Sequence, residues 1–232
     1  MIKGLRLSAS LMCSRFAALR EELEVLKAAR VDEFHVDVMD GHFVPNYALG
    51  PDFIREIAKL TDLPIEAHLM VREPERCIGV FERIGVHRVA VHVESTTNLY
   101  RLVTHCKGAF PEVYVALNPL TPVASLELVA ELVDGVEVMT VEPGFAGQPF
   151  AVTSEEKIRR VRNLLNAVNP AAAIEVDGAI NVRTIWRVRQ AGADLAVIGG
   201  SGLYSNPAGF AAAVDLLEQA LEENLGERKE QA

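Results

Sequence analysis

The 232-residue sequence predicts one α/β domain, a closed (β/α)8 barrel of the TIM type. Short β-rich runs alternate with segments of helical periodicity from end to end, and no linker or change of composition divides the chain. Half of the residues are hydrophobic, which is enough for a sizeable buried core. Eight repeats in a chain of this length favour a closed barrel over an open doubly wound sheet.

The predicted strands are short and largely apolar, which is typical of a parallel sheet covered on both faces. The helical segments carry one apolar face opposite a charged one, as with Phe16, Leu19, Leu23 and Leu26. We expect the barrel to occupy residues 1–225 and the charged, aperiodic residues 226–232 to form a tail. The strands are predicted over residues 5–10, 33–38, 64–69, 87–92, 112–117, 135–140, 172–176 and 194–199.

Composition argues against several classes of function. A formal net charge of −9 disfavours nucleic-acid binding, which requires clustered Lys and Arg. No apolar run approaches the roughly 20 residues of a membrane span, and the N-terminus lacks the pattern of a secretory signal. The odd number and wide spacing of Cys13, Cys77 and Cys106 suggest neither a disulfide framework nor a cysteine zinc site. We therefore expect a cytoplasmic protein without nucleic-acid or membrane partners.

Polar residues cluster where the predicted strands end, which is where barrel enzymes place their chemistry. His35 and Asp37 are two positions apart on one strand, so both side chains point to the same face. His68 and Asp177 follow other strands and can join them. Two imidazoles and two carboxylates could bind Zn²⁺, Mn²⁺, Fe²⁺ or Co²⁺. On spacing alone, the alternative is that these are hydrogen-bonded barrel residues and a turn aspartate.

Glycine-bearing turns follow the last three predicted strands, over residues 143–148, 177–179 and 199–202. Glycine lets the backbone approach an anion and donate N–H groups to it, and a phosphate site after strands 7 and 8 recurs in barrel enzymes. The alternative is that these glycines only make tight connections between strand and helix.

The sequence resembles the ribulose-phosphate 3-epimerase family over nearly its whole length. The segment from His35 to Asn46 is similar to the family signature. Four shorter segments support the resemblance: His68-Leu69-Met70, Asn118-Pro119, Pro143-Gly144-Phe145 and Glu175-Val176-Asp177-Gly178.

Within the family, three segments look closer to the allulose-6-phosphate 3-epimerase branch: Ser8 to Cys13, Met139 to Phe150 and Gly199 to Leu203. Two positions depart from the usual pattern. Ala9 stands where the family normally has proline, and Ala179 stands where many pentulose enzymes have a second glycine.

The resemblance implies a ketose-phosphate 3-epimerase that interconverts D-allulose 6-phosphate and D-fructose 6-phosphate, with the D-ribulose 5-phosphate/D-xylulose 5-phosphate reaction as the alternative. It implies one divalent metal ion per subunit (Zn, Mn, Fe, Co or Mg) and a homo-oligomer. The metal ligands would be His35, Asp37, His68 and Asp177, with both aspartates acting as acid and base. Contacts to the phosphorylated ketose would come from Ser10, Met39, Met70, Met139, Gly144, Gly147, Gly178, Ala179, Gly199, Gly200 and Ser201.

Two other functions fit the same fold, because a fold alone does not fix an activity. A phosphosugar aldolase or decarboxylase would typically place a lysine at the barrel mouth, and no predicted strand ends in one. A non-catalytic sugar-phosphate sensor would have no need for both aspartates together with the metal ligands.

Overall fold

A computed structural model describes residues 1–226, and it confirms the predicted barrel. Eight parallel strands pair in sequence order, and β8 pairs with β1 to close the ring. Each strand lies within one residue of its predicted bounds. The strands are β1 (Arg6–Ser10), β2 (Glu33–Met39), β3 (Ile65–Met70), β4 (Arg88–His92), β5 (Glu112–Leu117), β6 (Gly135–Met139), β7 (Ala173–Asp177) and β8 (Leu195–Ile198).

Seven α-helices occur in the described residues, one fewer than an eight-unit repeat requires. The connection after β5 has only a 3-10 turn, Val123–Leu126, so the expectation of a regular helix there is wrong. Residues 127–132, which follow this turn, continue as further turns and not as a helix. The helices are α1 (Leu19–Ala28), α2 (Pro51–Ile57), α3 (Ile78–Ile84), α4 (Leu99–Ala109), α5 (Ser154–Val168), α6 (Ile185–Ala191) and α7 (Phe210–Gly226).

The boundary between barrel and tail is only partly described. Gly226, the first residue of the predicted tail, is the last residue of α7. The rest of that tail, residues 227–232, lies outside the described residues. In residues 1–226, no helix combines the length and apolar character that crossing a bilayer requires. The three cysteines are free.

The strands β1 to β7 each have one apolar face and one face with polar side chains, which differs from the expected apolar character on both sides, whereas β8 is apolar on both faces. In β2, Phe34, Val36 and Val38 belong to the main hydrophobic core between strands and helices. His35 and Asp37 alternate with them and point into the barrel. The outward-facing side chains therefore pack against the helices, and the inward-facing ones supply the polar groups of the barrel interior.

The barrel interior is charged near the N-terminal ends of the strands. Arg88 is 1% exposed and donates to both oxygens of Glu33, at 2.7 and 3.2 Å. It also donates to Glu112 at 2.9 Å, and its guanidinium lies 4.3 Å from the centre of the Tyr114 ring. Gly135 leaves the room for that ring, since a Cβ there would lie 2.4 Å from Tyr114. These charged side chains fill the barrel interior beneath the polar side chains that lie nearer the C-terminal ends of the strands.

Candidate active site and metal centre

One cavity of about 340 Å³ lies at the C-terminal ends of the strands. Its walls come from β1, β2, β3, β6, β7 and β8 and from the turns that follow them. His35 and His68 lie beneath it and are fully buried. The cavity brings together both aspartates and every residue expected to contact substrate: Ser10, Asp37, Met39, Met70, Met139, Gly144, Gly147, Asp177, Gly178, Ala179, Gly199, Gly200 and Ser201.

The four expected metal ligands converge on one point. His35 Nε2 and His68 Nδ1 face each other at 3.3 Å. Asp37 Oδ1 lies 3.3 Å from His35 Nε2 and 3.4 Å from His68 Nδ1, and Asp177 Oδ2 lies 4.0 Å from His68 Nδ1. Ligands about 2.1 Å from a shared ion are separated by roughly 3 to 4 Å. The spacing and the mixed nitrogen and oxygen donors fit a divalent transition metal.

Neighbouring side chains orient these groups. Glu66 Oε2 lies 2.9 Å from His35 Nδ1, which leaves Nε2 to face the cluster. On the other side, His68 Nε2 lies 2.8 Å from His92 Nε2, and His92 Nδ1 lies 3.2 Å from Glu94 Oε2. His92, the last residue of β4, and Glu94, in the turn that follows, therefore hold His68 in place.

Ser10 fixes the second oxygen of Asp37. Its hydroxyl donates to Asp37 Oδ2 at 3.0 Å, and Ser10 is only 5% exposed. The hydrogen bond and the burial show that alanine at position 9, in place of the family's proline, leaves Ser10 well held.

The two aspartates have opposite pKa shifts. Burial raises the pKa of Asp177 to about 7, and the negative charge of Asp37 adds to this effect. Burial also acts on Asp37, but the positive charge and hydrogen bonding of His35, with help from His68, outweigh it and lower the pKa of Asp37. Near neutral pH one carboxyl group can therefore hold a proton while the other is ionised.

Sequence analysis missed a buried glutamate beside this cluster. Glu137, on β6, is fully buried, and its Oε1 lies 3.2 Å from His68 Nδ1. One ligand atom from each of His35, His68, Glu137 and Asp177 lies within 4.8 Å of the others. Burial and the charges of Glu66 and the aspartates raise the pKa of Glu137. Strand alternation gave the available signal, because Glu137 is two positions before Met139 and points to the same side.

The turns after β7 and β8 pack closely and expose backbone donors to the cavity. A Cβ at Gly202 would lie 2.3 Å from the carbonyl oxygen of Ile180, so only glycine allows this approach. In the described structure the N–H groups of Gly178 and Ala179 have no backbone acceptor. Asn181 and Arg183 also line the cavity and were not expected from the sequence. These features suit an anionic group.

Fold and site together define a class: (β/α)8 barrel enzymes that have the imidazole and carboxylate donors for a metal ion at the C-terminal ends of the strands. The model of the ribulose-phosphate 3 epimerase family matches residues 6–204. The chain belongs to the ribulose-phosphate 3-epimerase family, and it is an isomerase. Members of this family use one divalent metal ion and act on phosphorylated ketoses.

Curated relatives agree with this assignment. A ribulose-phosphate 3-epimerase from Methanocaldococcus jannaschii is 38% identical over 94% of this chain and 92% of its own length. The chloroplastic ribulose-5-phosphate-3-epimerase of Arabidopsis thaliana is 40% identical over 85% of this chain and 70% of its own length.

Solved structures with lower identity share the fold. A tryptophan synthase α-subunit from Pyrococcus furiosus is 15% identical with a TM-score of 0.64, covering 97% of this chain and all of its own. A 3-hexulose-6-phosphate synthase is 22% identical with a TM-score of 0.62, covering 94% of this chain and 100% of its own.

Proposed function

We propose that this chain interconverts D-ribulose 5-phosphate and D-xylulose 5-phosphate by inverting C3. The placement of Asp37 and Asp177, from separate strands, around one imidazole pair carries the proposal. The sequence analysis favoured D-allulose 6-phosphate, whereas the relatives are named for ribulose phosphate and favour the alternative.

Inversion at C3 needs two groups that act on opposite faces of the substrate. One carboxylate takes the proton from C3, and the other carboxyl group gives a proton to the opposite face. Asp37 and Asp177 suit these roles, because they come from separate strands and their surroundings shift their pKa values in opposite directions. In the reverse direction they exchange roles.

The metal ligands in this proposal are His35, Asp37, His68 and Asp177. A divalent ion held there would stabilise the negative charge that develops on the substrate oxygens when C3 loses its proton. Glu66 and His92 hold the two imidazoles in place for this.

Three methionines shield the reacting carbon. Met39, Met70 and Met139 are at most 5% exposed and line the cavity. Thioether side chains exclude water and offer no competing base. The planar intermediate would lie against them while Ser10 holds Asp37.

The phosphate would bind the turns after β6, β7 and β8. Gly178, Ala179, Gly199, Gly200 and Ser201 supply the backbone N–H groups on one side, and Gly144 and Gly147 close the other. Anchoring the phosphate fixes C3 between the carboxylates. No lysine lines the cavity within residues 1–226, which disfavours an aldolase on this barrel.

The substrate is tested by measuring kcat/KM on D-ribulose 5-phosphate and D-allulose 6-phosphate in parallel. We expect a clear preference for the pentulose. A preference for the hexulose would overturn the substrate assignment, and binding of both without inversion at C3 would support a sensor. The homo-oligomer and the cytoplasmic location remain predictions of the sequence.

A further inference from the structure

The floor of the metal centre contains three glutamates, and they differ in their surroundings. Glu66, Glu137 and Glu175 each come from a different strand, and each is at most 1% exposed. Arg88 Nη1 lies 3.5 Å from Glu66 and 3.6 Å from Glu175. Glu66 and Glu175 therefore share the guanidinium of Arg88 as their counter-charge. Ligand atoms of His35, Glu66 and Glu175 also lie within 4.8 Å of one another.

Glu137 has no such cation. Neither of its carboxyl oxygens has a hydrogen-bond partner in the described structure. Within residues 1–226, His68 Nδ1 is the only Lys, Arg or His nitrogen within 4.0 Å of its carboxyl group, at 3.2 Å from Oε1. In the proposed site, that nitrogen binds the metal ion. A buried polar group normally has a hydrogen-bond partner or binds a metal, and Glu137 lacks the first, so a bound cation would supply the missing partner.

The ion of the proposed metal site would be this cation. The ligand atoms of Glu137, His35, His68 and Asp177 lie within 4.8 Å of one another, so an ion held by the other three is within reach of Glu137. Asp37 and Asp177 line the cavity, whereas Glu137 does not. Glu137 therefore approaches from beneath and leaves the cavity side of the ion free for substrate.

We propose that Glu137 is a fifth protein ligand to the divalent metal, bound from the barrel floor. The inference rests on the proposed site of His35, Asp37, His68 and Asp177. Three carboxylates and two imidazoles exceed the four ligands that Zn²⁺ usually takes in proteins and suit Mn²⁺, Fe²⁺ or Co²⁺. A divalent site generally binds Zn²⁺ more tightly than Mn²⁺, and the fifth ligand should make this difference in affinity smaller than in a four-ligand site.

Two variants test the ligand, and one variant is a matched control. Glu137→Gln keeps the shape of the side chain, and Glu137→Leu can neither bind a metal nor admit water in its place. Glu175→Gln makes the same amide change in the buried neighbour paired with Arg88. Mn²⁺ binding to the metal-free proteins is measured by calorimetry, and thermal unfolding is followed with and without Mn²⁺.

We expect both Glu137 variants to bind Mn²⁺ roughly 10- to 100-fold more weakly than wild type, and the Glu175 variant to bind it nearly as tightly. Metal-free Glu137→Leu should also melt at a higher temperature than wild type, because it removes an unpaired buried carboxyl group. Weaker metal binding with higher stability separates a ligand from a residue needed only for folding.

The visible absorption of Co²⁺-loaded protein gives a further readout. It reports coordination number, and it should strengthen in Glu137→Leu as the ion loses a ligand. Unchanged Mn²⁺ affinity and an unchanged Co²⁺ spectrum in both Glu137 variants would overturn the fifth ligand and leave the four-residue site intact. Failure of wild type to bind Mn²⁺ or Co²⁺ would overturn both.

Discussion

Ala179 shows how a single position in the site stores strain. It has a φ of 55° in the turn after β7, a region that residues with a Cβ adopt at a cost of roughly 1 to 2 kcal/mol. The preceding Gly178 also has a positive φ, and a Cβ there would lie 2.5 Å from Val141. The turn thus favours glycine at both positions, and alanine at 179 is the departure already visible in the sequence.

Ala179→Gly should stabilise the protein by about 0.5 to 1 kcal/mol, because relief of the positive φ exceeds the entropy that glycine loses on folding. Chemical denaturation would measure the free energy of unfolding. Ala212→Gly, inside α7, is the control and should destabilise it by a similar amount. A loss of stability in Ala179→Gly would contradict the strain.

At the residue scale, strand alternation was enough to predict which side chains would lie near one another. His35, Asp37, His68 and Asp177 follow from strand alternation and from the resemblance, and they do converge. Glu137 escaped notice because it lies within a strand, one layer below the mouth, where an apolar residue is usual. Its burial and its contact with His68 arise only when the eight strands close into a ring.

At the scale of elements, strand positions were predictable because apolar and polar residues alternate within runs bounded by turns. Helix starts were less so. Thr153 and Glu156 suggest a capping box for α5, but Thr153 makes no side-chain capping bond, since its backbone is already in the helical region. The backbone N–H of Lys157 instead donates to the carbonyl of Thr153, which begins the helix without a side-chain cap.

Arg88 on β4 is the main cation of the inner layer and should be important for stability. Arg88→Met should cost about 3 to 5 kcal/mol, because it removes the main counter-charge of the buried Glu33 and Glu66 and leaves only Arg6, at 3.6 Å, beside Glu33. Arg30→Met, which breaks exposed ion pairs to Asp215 and Glu218, should cost at most about 1 kcal/mol. Equal effects in urea denaturation would show that the buried layer contributes no special stability.

Lys157 in α5 should make the free energy of unfolding depend on pH. Burial lowers the pKa of Lys157 from its usual 10.5 to about 8, while its ammonium donates to the carbonyl of Asn118. Between these two pH values the unfolded chain binds more protons at this residue than the folded one. Stability from Lys157 should therefore increase as pH rises from about 8 to 10.5.

The comparison is between wild type and Lys157→Met, with the free energy of unfolding measured at several pH values in that range. The difference should shift in favour of wild type as pH rises. A difference that is constant with pH, or that moves the other way, would mean that the folded state does not disfavour the charged ammonium.

At the scale of the whole molecule, closure of the barrel creates the site. Asp37 and Asp177 are 140 positions apart in the sequence, yet β1 pairs with both β2 and β8, which brings the first and last strands together. The count of eight repeats predicted this closure. It did not predict the charged interior, because the balance of Arg88 against several glutamates depends on which strands become neighbours across the ring.

The central claim is that Asp37 and Asp177 exchange protons with C3 from opposite faces of the substrate. Incorporation of deuterium at C3 of D-ribulose 5-phosphate in D₂O, followed by ¹H NMR, tests it most directly. Asp40→Asn is the control, because Asp40 follows β2 but accepts bonds from backbone N–H groups outside the cavity. With metal content matched, we expect Asp37→Asn and Asp177→Asn to lose turnover by about 10²- to 10⁴-fold. Near-normal formation of D-xylulose 5-phosphate in either variant would contradict the two-carboxylate account.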